Sequence, residues 1–243
     1  MPRYFLEVGY MGTRYAGFQI QQNANTIQEE VEKALQIFLR KKINLTGSSR
    51  TDAGVHAEQN YFHFDVEVEI PSPEKIPYHL NSILPKDIVT RSLKLVQDEA
   101  HSRFDATSRQ YKYSIYQEKD PFLVDRAYFY PYALNIDLLN EAALLIKSNL
   151  DFEAFSKKNV QVHTFICHIE ESYWVKDGYR IMYHVKGSRF LRGMVRGLVG
   201  TMLKVGREKI SIAEFQQIIE SKDVSKVDFS TPPEGLTLMR VCY

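Results

Sequence analysis

Residues 47–70, GSSRTDAGVHAEQNYFHFDVEVEI, decide how this chain is read. The second part, Tyr61 to Ile70, alternates. Phe62, Phe64, Val66, Val68 and Ile70 fall on one face, and His63, Asp65, Glu67 and Glu69 on the other. This predicts a strand with one side on a core and the other in water. The first part, Gly47 to Ala57, is the densest cluster of polar groups in the chain, with glycines and alanines framing Asp52. Small neighbours let a bulky ligand reach a carboxylate.

Working outward, Arg3 to Tyr10 also alternates, with Tyr4, Leu6, Val8 and Tyr10 on one face, and Gly12 and Gly17 break it into a loop holding Arg14 and Tyr15. Thr26 with Glu29 forms a capping box, and Ile27, Val31, Ala34, Leu35 and Phe38 recur at helical spacing, predicting a helix from Ile27 to about Lys41. A short helix around Tyr78 to Ile83 stops before Pro85, and Ile88 to Val96 is a further strand. The second half repeats the element order. Gln110 to Gln117 reads as a strand, Ile136 to Leu150 as a helix with Leu139, Ala142, Ala143 and Ile146 inward, and Asp177-Gly178 as the turn of a hairpin from Phe165 to Lys186. Phe190 to Val205 has helical periodicity, Ser211 with Glu214 caps another helix, and Leu236 to Cys242 is a terminal strand. The expected architecture is α+β, with an N-terminal unit 1–105 and a C-terminal unit 106–243, each with helices over a largely antiparallel sheet.

Composition narrows the function classes. Of 243 residues, 44% are apolar and 25% charged, which excludes disorder as the main state. The net charge is +1, so attraction to a polyanion must come from a local patch. Two cysteines, Cys167 and Cys242, make neither a disulfide framework nor a four-ligand zinc site, and are expected reduced in a cytoplasmic protein. No run of about 18 apolar residues occurs, and Met1 to Val8 lacks a basic segment followed by an apolar one, so neither a membrane span nor a secretory leader is expected.

Asp52 has several possible roles. It suits a turn cap in an ordinary polar loop, with Arg50 paired to a nearby acid. Ser48 or Ser49 with His56 would suit a hydrolase, but a nucleophile elbow is missing. His56 and His63 lack metal-ligand spacing. A lone carboxylate nucleophile needs only a cation to keep it ionised. A source of cations lies between Gly178 and Arg207, where Arg180, Lys186, Arg189, Arg192, Arg196, Lys204 and Arg207 occur without one acid. If the periodicity from Phe190 is one helix, Arg189, Arg192 and Arg196 line one face and form a basic RNA-binding surface. Tyr111 and Tyr113 share a strand face beside Arg109 and Lys112. Tyr113 with Ile115 reads as core, and Tyr111 as a surface on which a base stacks.

The core Arg50-Thr51-Asp52-Ala53-Gly54-Val55-His56 resembles the signature of the tRNA pseudouridine synthase A family, which isomerises uridines 38–40 of the tRNA anticodon stem-loop. Tyr15 to Gln21, Thr26 to Gln28, Ser102 to Phe104, Arg109 to Tyr113, Asp151 to Phe155, Met194 to Arg196 and Gly235 to Leu238 follow in the family's order, so the resemblance covers essentially the whole chain. Phe18 stands where many members have Trp. The resemblance implies two ferredoxin-like, RRM-like domains with an active-site cleft between them, a homodimer, tRNA as partner, and no cofactor or metal. It also implies that Asp52 is the nucleophile, Arg196 the arginine paired with it, Tyr111 the residue stacked on the target uracil, and Leu238 an apolar residue of the pocket. Arg50 is expected to touch substrate, and Arg14, Arg189 and Arg192 the RNA.

Overall fold

The computed structural model describes residues 1–157 and 163–243. The chain divides into two compact units, one of Met1–Thr107 with Thr237–Tyr243, the other of Ser108–Leu236. The division falls close to the expected boundary, but the last seven residues join the first unit.

In the first unit, β1 (Arg3–Tyr10) lies between β4 (Ile88–Val96) and β3 (His56–Asp65), antiparallel to both. The short β2 (Thr46–Gly47) pairs with β3 on its other side. Register sets Leu6 opposite Phe62 and Tyr4 opposite Phe64, so the alternating apolar sets meet on one face. Two helices complete the core, α1 (Ile27–Leu39) and α2 (Ile76–Ile83). Thr26 caps α1 by accepting the Glu29 N–H, and Ile27, Val31, Ala34 and Leu35 form its buried stripe.

The strand expected over Tyr61–Ile70 is displaced, running instead over His56–Asp65. It stops at Asp65 because its partner β1 begins at Arg3, leaving Val68 exposed. It starts early because polar residues of its first half, His56 and Asn60, are buried and hydrogen-bonded, a pattern that hides the period of two. Its second face does not simply meet water either. His63 is 7% exposed, beside His101 and Phe5.

In the second unit, β5 (Ser108–Tyr116), β7 (Ile169–Asp177) and β8 (Arg180–Gly187) form an antiparallel sheet with β8 in the middle, and β6 (Tyr128–Phe129) runs parallel to β5. Its helices are α3 (Ile136–Ser148), α4 (Met194–Gly206) and α5 (Ile212–Glu220), the last opened by the complete Ser211–Glu214 capping box. Tyr113, Ile115, Tyr183 and Val185 from the sheet and Leu139, Ala142, Leu198 and Met202 from the helices are all buried.

The helix expected from Phe190 begins only at Met194. Gly193 has φ +74°, a left-handed conformation that ends helical continuity on its N-terminal side. Arg189 and Arg192 therefore precede α4 and share no helical face with Arg196, which corrects the basic-helix expectation. Eleven of the thirteen residues of α4 are buried, leaving Arg196 and Lys204 partly exposed. The strand β9 (Leu236–Cys242) runs parallel to β3, with Thr237 opposite His56 and Leu238 opposite Ala57. No helix among the described residues is long and apolar enough to cross a membrane.

Candidate active site

The loop carrying Asp52 leaves β2 and enters β3, and its backbone is held on several sides. The Phe18 N–H donates to the Thr51 carbonyl at 3.1 Å, the Gly54 N–H to the Tyr15 carbonyl at 3.3 Å, and the Val55 N–H closes a turn on the Asp52 carbonyl at 3.2 Å. Glycines make these approaches possible. Gly17, at φ +112°, lies so close that a Cβ there would stand 3.1 Å from the Thr51 carbonyl oxygen. A Cβ on Gly47 would enter the ring of Phe18, which stacks on Phe62 with centroids 4.5 Å apart. Phe18 therefore works as an aromatic floor for the loop. Within it, Ser48, Ser49 and Thr51 are buried, Asp52 is half-buried, and Arg50 and Ala53 are exposed. Among the described residues of this unit, none hydrogen-bonds or ion-pairs with the Asp52 carboxylate, which leaves its oxygens available to a substrate.

His56 Nδ1 accepts the Gly12 N–H at 3.0 Å, so a neutral ring carries its proton on Nε2. This bond ties the loop to the turn after β1 and occupies the nitrogen on that side. Arg14 holds Asp87 through Nε at 2.8 Å and Nη2 at 2.6 Å, and the Tyr15 hydroxyl donates to the other Asp87 oxygen at 2.7 Å. Burial alone would raise the Asp87 pKa, but the Tyr15 and Arg14 bonds outweigh it and hold this carboxyl below its usual range. The Arg14 charge is thus partly neutralised, and through Asp87 it is joined to the Tyr15 turn, with its side chain still largely exposed. Leu238 is fully buried, and its place opposite Ala57 brings the last strand alongside the end of the aspartate loop.

In the second unit, Tyr111 is half-buried on β5 with its ring edge-on to Phe190 at 5.1 Å. Tyr113 is core, as expected. Its hydroxyl donates to the Pro232 carbonyl at 2.7 Å, and burial pushes its pKa up. Arg196 stands in the first turn of α4, where its Nε donates to the Thr231 carbonyl at 2.7 Å and its own carbonyl accepts the Thr231 hydroxyl at 2.9 Å. Arg189 is half-buried and Arg192 exposed in the turn before α4. The acid-free run meets acids from elsewhere in the chain. Arg180 pairs with Asp120, Lys186 with Glu170 and Lys204 with Asp228, while the Arg207 guanidinium lies 3.9 Å from the Tyr132 ring centre. The positive surface is accordingly smaller than the sequence implied.

The chain matches the family described as tRNA pseudouridine synthase over residues 8–105 and 149–243. It belongs to that family. It is 42% identical to the tRNA pseudouridine synthase A of Parabacteroides distasonis over 243 residues, covering all of this chain and 96% of the relative. To the enzyme of that name from Bacteroides fragilis it is 44% identical over 244 residues, covering all of this chain and 97% of the relative. To that of Staphylococcus aureus it is 38% identical over 241 residues, covering 98% and 90%. The protein is therefore an isomerase that acts on RNA, a pseudouridine synthase. Its reaction detaches uracil N1 from ribose C1′ and joins C5 in its place, with no net redox change.

For this synthase, the structure brings Asp52, Arg50, Arg14 and Leu238 into one unit and Tyr111, Arg189, Arg192 and Arg196 into the other. Sequence reasoning missed the support beneath the loop, namely Tyr10, Gly12, Asn60 and Asp87. Asn60 gave no signal, because it falls just before the strand expected from Tyr61 and its burial appears only in the fold. Asp87 carried none, because its partners lie more than seventy residues earlier.

Proposed function

We propose that this synthase converts uridine to pseudouridine at positions 38, 39 and 40 of the tRNA anticodon stem-loop, with Asp52 as nucleophile. The observation that carries the reading is a half-exposed carboxylate without a partner in its own unit, on a loop whose neighbouring backbone groups are hydrogen-bonded. Such a carboxylate is pre-organised and costs little to bring to a substrate. It serves equally for attack on C1′, for assisting elimination across the ribose, or for addition to uracil C6.

Each route needs Asp52 charged while a base covers it, and desolvation opposes this. Arg196, anchored through Nε and retaining its terminal amino groups as donors, is read as the cation that offsets the cost. A target uridine must leave its stack, and Tyr111 returns part of that energy by stacking on the base. Arg50 contacts the substrate nucleotide, Leu238 backs the pocket from its buried place on β9, and Arg14, Arg189 and Arg192 contact the RNA backbone. The resemblance supports a cytoplasmic homodimer, each chain built of two ferredoxin-like domains, without cofactor or metal.

The test is release of tritium from tRNA labelled at uridine C5, followed by mapping of the modified positions. Asp52→Asn is expected to keep tRNA binding and lose release. Detectable pseudouridine formation by that variant overturns the nucleophile assignment, and modification confined to sites outside 38–40 overturns the position assignment.

A further inference from the structure

Two side chains beneath the aspartate loop have polar groups that strand packing does not require. Tyr10, at the end of β1, is 5% exposed, and Asn60, within β3, is fully buried. The Asn60 amide is completely used. Its Oδ1 accepts the Tyr61 N–H at 2.9 Å, and its Nδ2 donates to the Ser49 carbonyl at 2.9 Å and to the Tyr10 hydroxyl at 3.1 Å. The Tyr10 hydroxyl then bonds the Thr51 hydroxyl at 2.8 Å. Ser49 and Thr51 flank Arg50, and Thr51 directly precedes Asp52.

Polar groups so deeply buried contribute little net stability, and an apolar pair of the same shape would pack about as well. What the network adds is position. It clamps the backbone at Ser49 and the side chain at Thr51, so the residues that project toward substrate depart from a defined base. The Phe18 bond to the Thr51 carbonyl holds the same residue from its backbone.

We propose that Tyr10 and Asn60 are positioning residues of the isomerase, which set the direction of Arg50 and Asp52 through Ser49 and Thr51. The proposal rests on the reading of Asp52 as nucleophile and Arg50 as a substrate contact. Neither Tyr10 nor Asn60 needs to touch RNA.

The decisive variant is Tyr10→Phe, which keeps the ring that packs 5.9 Å from Phe18 and removes only the hydroxyl. Displacement of a catalytic group by a fraction of an ångström to an ångström lowers kcat about 10- to 100-fold, and that loss is expected here with KM for tRNA held within about twofold. Because the buried Thr51 hydroxyl and an Asn60 N–H lose this partner, the thermal unfolding midpoint should fall by several degrees while the protein stays folded at the assay temperature. Asn60→Leu should act in the same direction, and the double variant should be slower than the slower single by no more than about twofold, because both act through one network. If Asn60→Leu fails to fold, the Tyr10→Phe result decides. A wild-type kcat in Tyr10→Phe, a raised KM at unchanged kcat, or a loss matched by loss of folded protein overturns the proposal. Asp52→Asn is assayed beside it. An active Asp52→Asn removes both readings, whereas an active Tyr10→Phe beside an inactive Asp52→Asn removes the positioning role alone.

Discussion

His63 lies one strand position from Phe62 but meets a different environment. Its Nδ1 lies 2.8 Å from the Ser102 hydroxyl and accepts the Ser102 N–H at 3.2 Å, and His101 stands edge-on at 4.6 Å. Burial, then repulsion from His101 and Arg3, push its pKa down to about 4 against the pull of Asp65 and Asp105. The unfolded chain holds its ordinary value of 6.5, so between those pH values the unfolded state binds the extra proton and stability falls as pH drops. At about 1.4 kcal/mol per pKa unit, this residue accounts for a loss of about 3 kcal/mol from above pH 7 to below pH 4. Denaturant midpoints measured across that range should show the decline, and His63→Asn, which keeps an acceptor in place of Nδ1, should flatten it. An equal slope in the variant would assign the decline to other groups. At this scale the sequence showed which residues alternate. It did not show that Ser102 and His101 cover the second face, because that contact joins positions nearly forty residues apart.

The element that departs most from expectation is α4. Its period was readable from Met194 to Val205, and Leu191 extends the apolar pattern because it too is buried. Periodicity records burial, however, and not backbone geometry. A buried residue in the turn before Gly193 is indistinguishable by pattern from one in the helix. The consequence for RNA is specific. Arg192, exposed in a turn where its carbonyl accepts the Lys157 N–H, is a single cation and not one of a helical row. Arg192→Ala should weaken tRNA binding and reduce the slope of log affinity against log salt by about 0.7 to 0.9, the signature of one phosphate contact. An unchanged slope, measured by filter binding from low to moderate salt, would remove Arg192 from the RNA surface.

Over the whole molecule, the chain's last seven residues return to its first unit. Leu238 and Val241 are buried there, the Val241 N–H donates to Gln59 at 3.3 Å, and Tyr243 packs on Phe5 and Tyr61 while its hydroxyl donates to the Ser102 carbonyl at 2.7 Å. Burial of each large apolar side chain contributes about 1.5–3 kcal/mol, a large share of the stability of an ordinary domain. A chain ending at Leu236 is therefore expected to lose several degrees of thermal midpoint together with isomerase activity. An unchanged midpoint would mean that the first unit stands without β9. The sequence by itself determined the α+β class, most helices, the caps of α1 and α5, the aspartate loop and the family. These depend on local spacing and on a short, dense motif. Only the tertiary structure decided that β3 begins at His56, that Asn60 and Tyr10 lie beneath the loop, that Asp87 braces Arg14 and Tyr15, and that β9 pairs with β3. Those contacts join residues far apart in the chain, where neither period nor propensity carries a signal, and their energy comes from burial and hydrogen bonding that exist only once the chain has closed on itself.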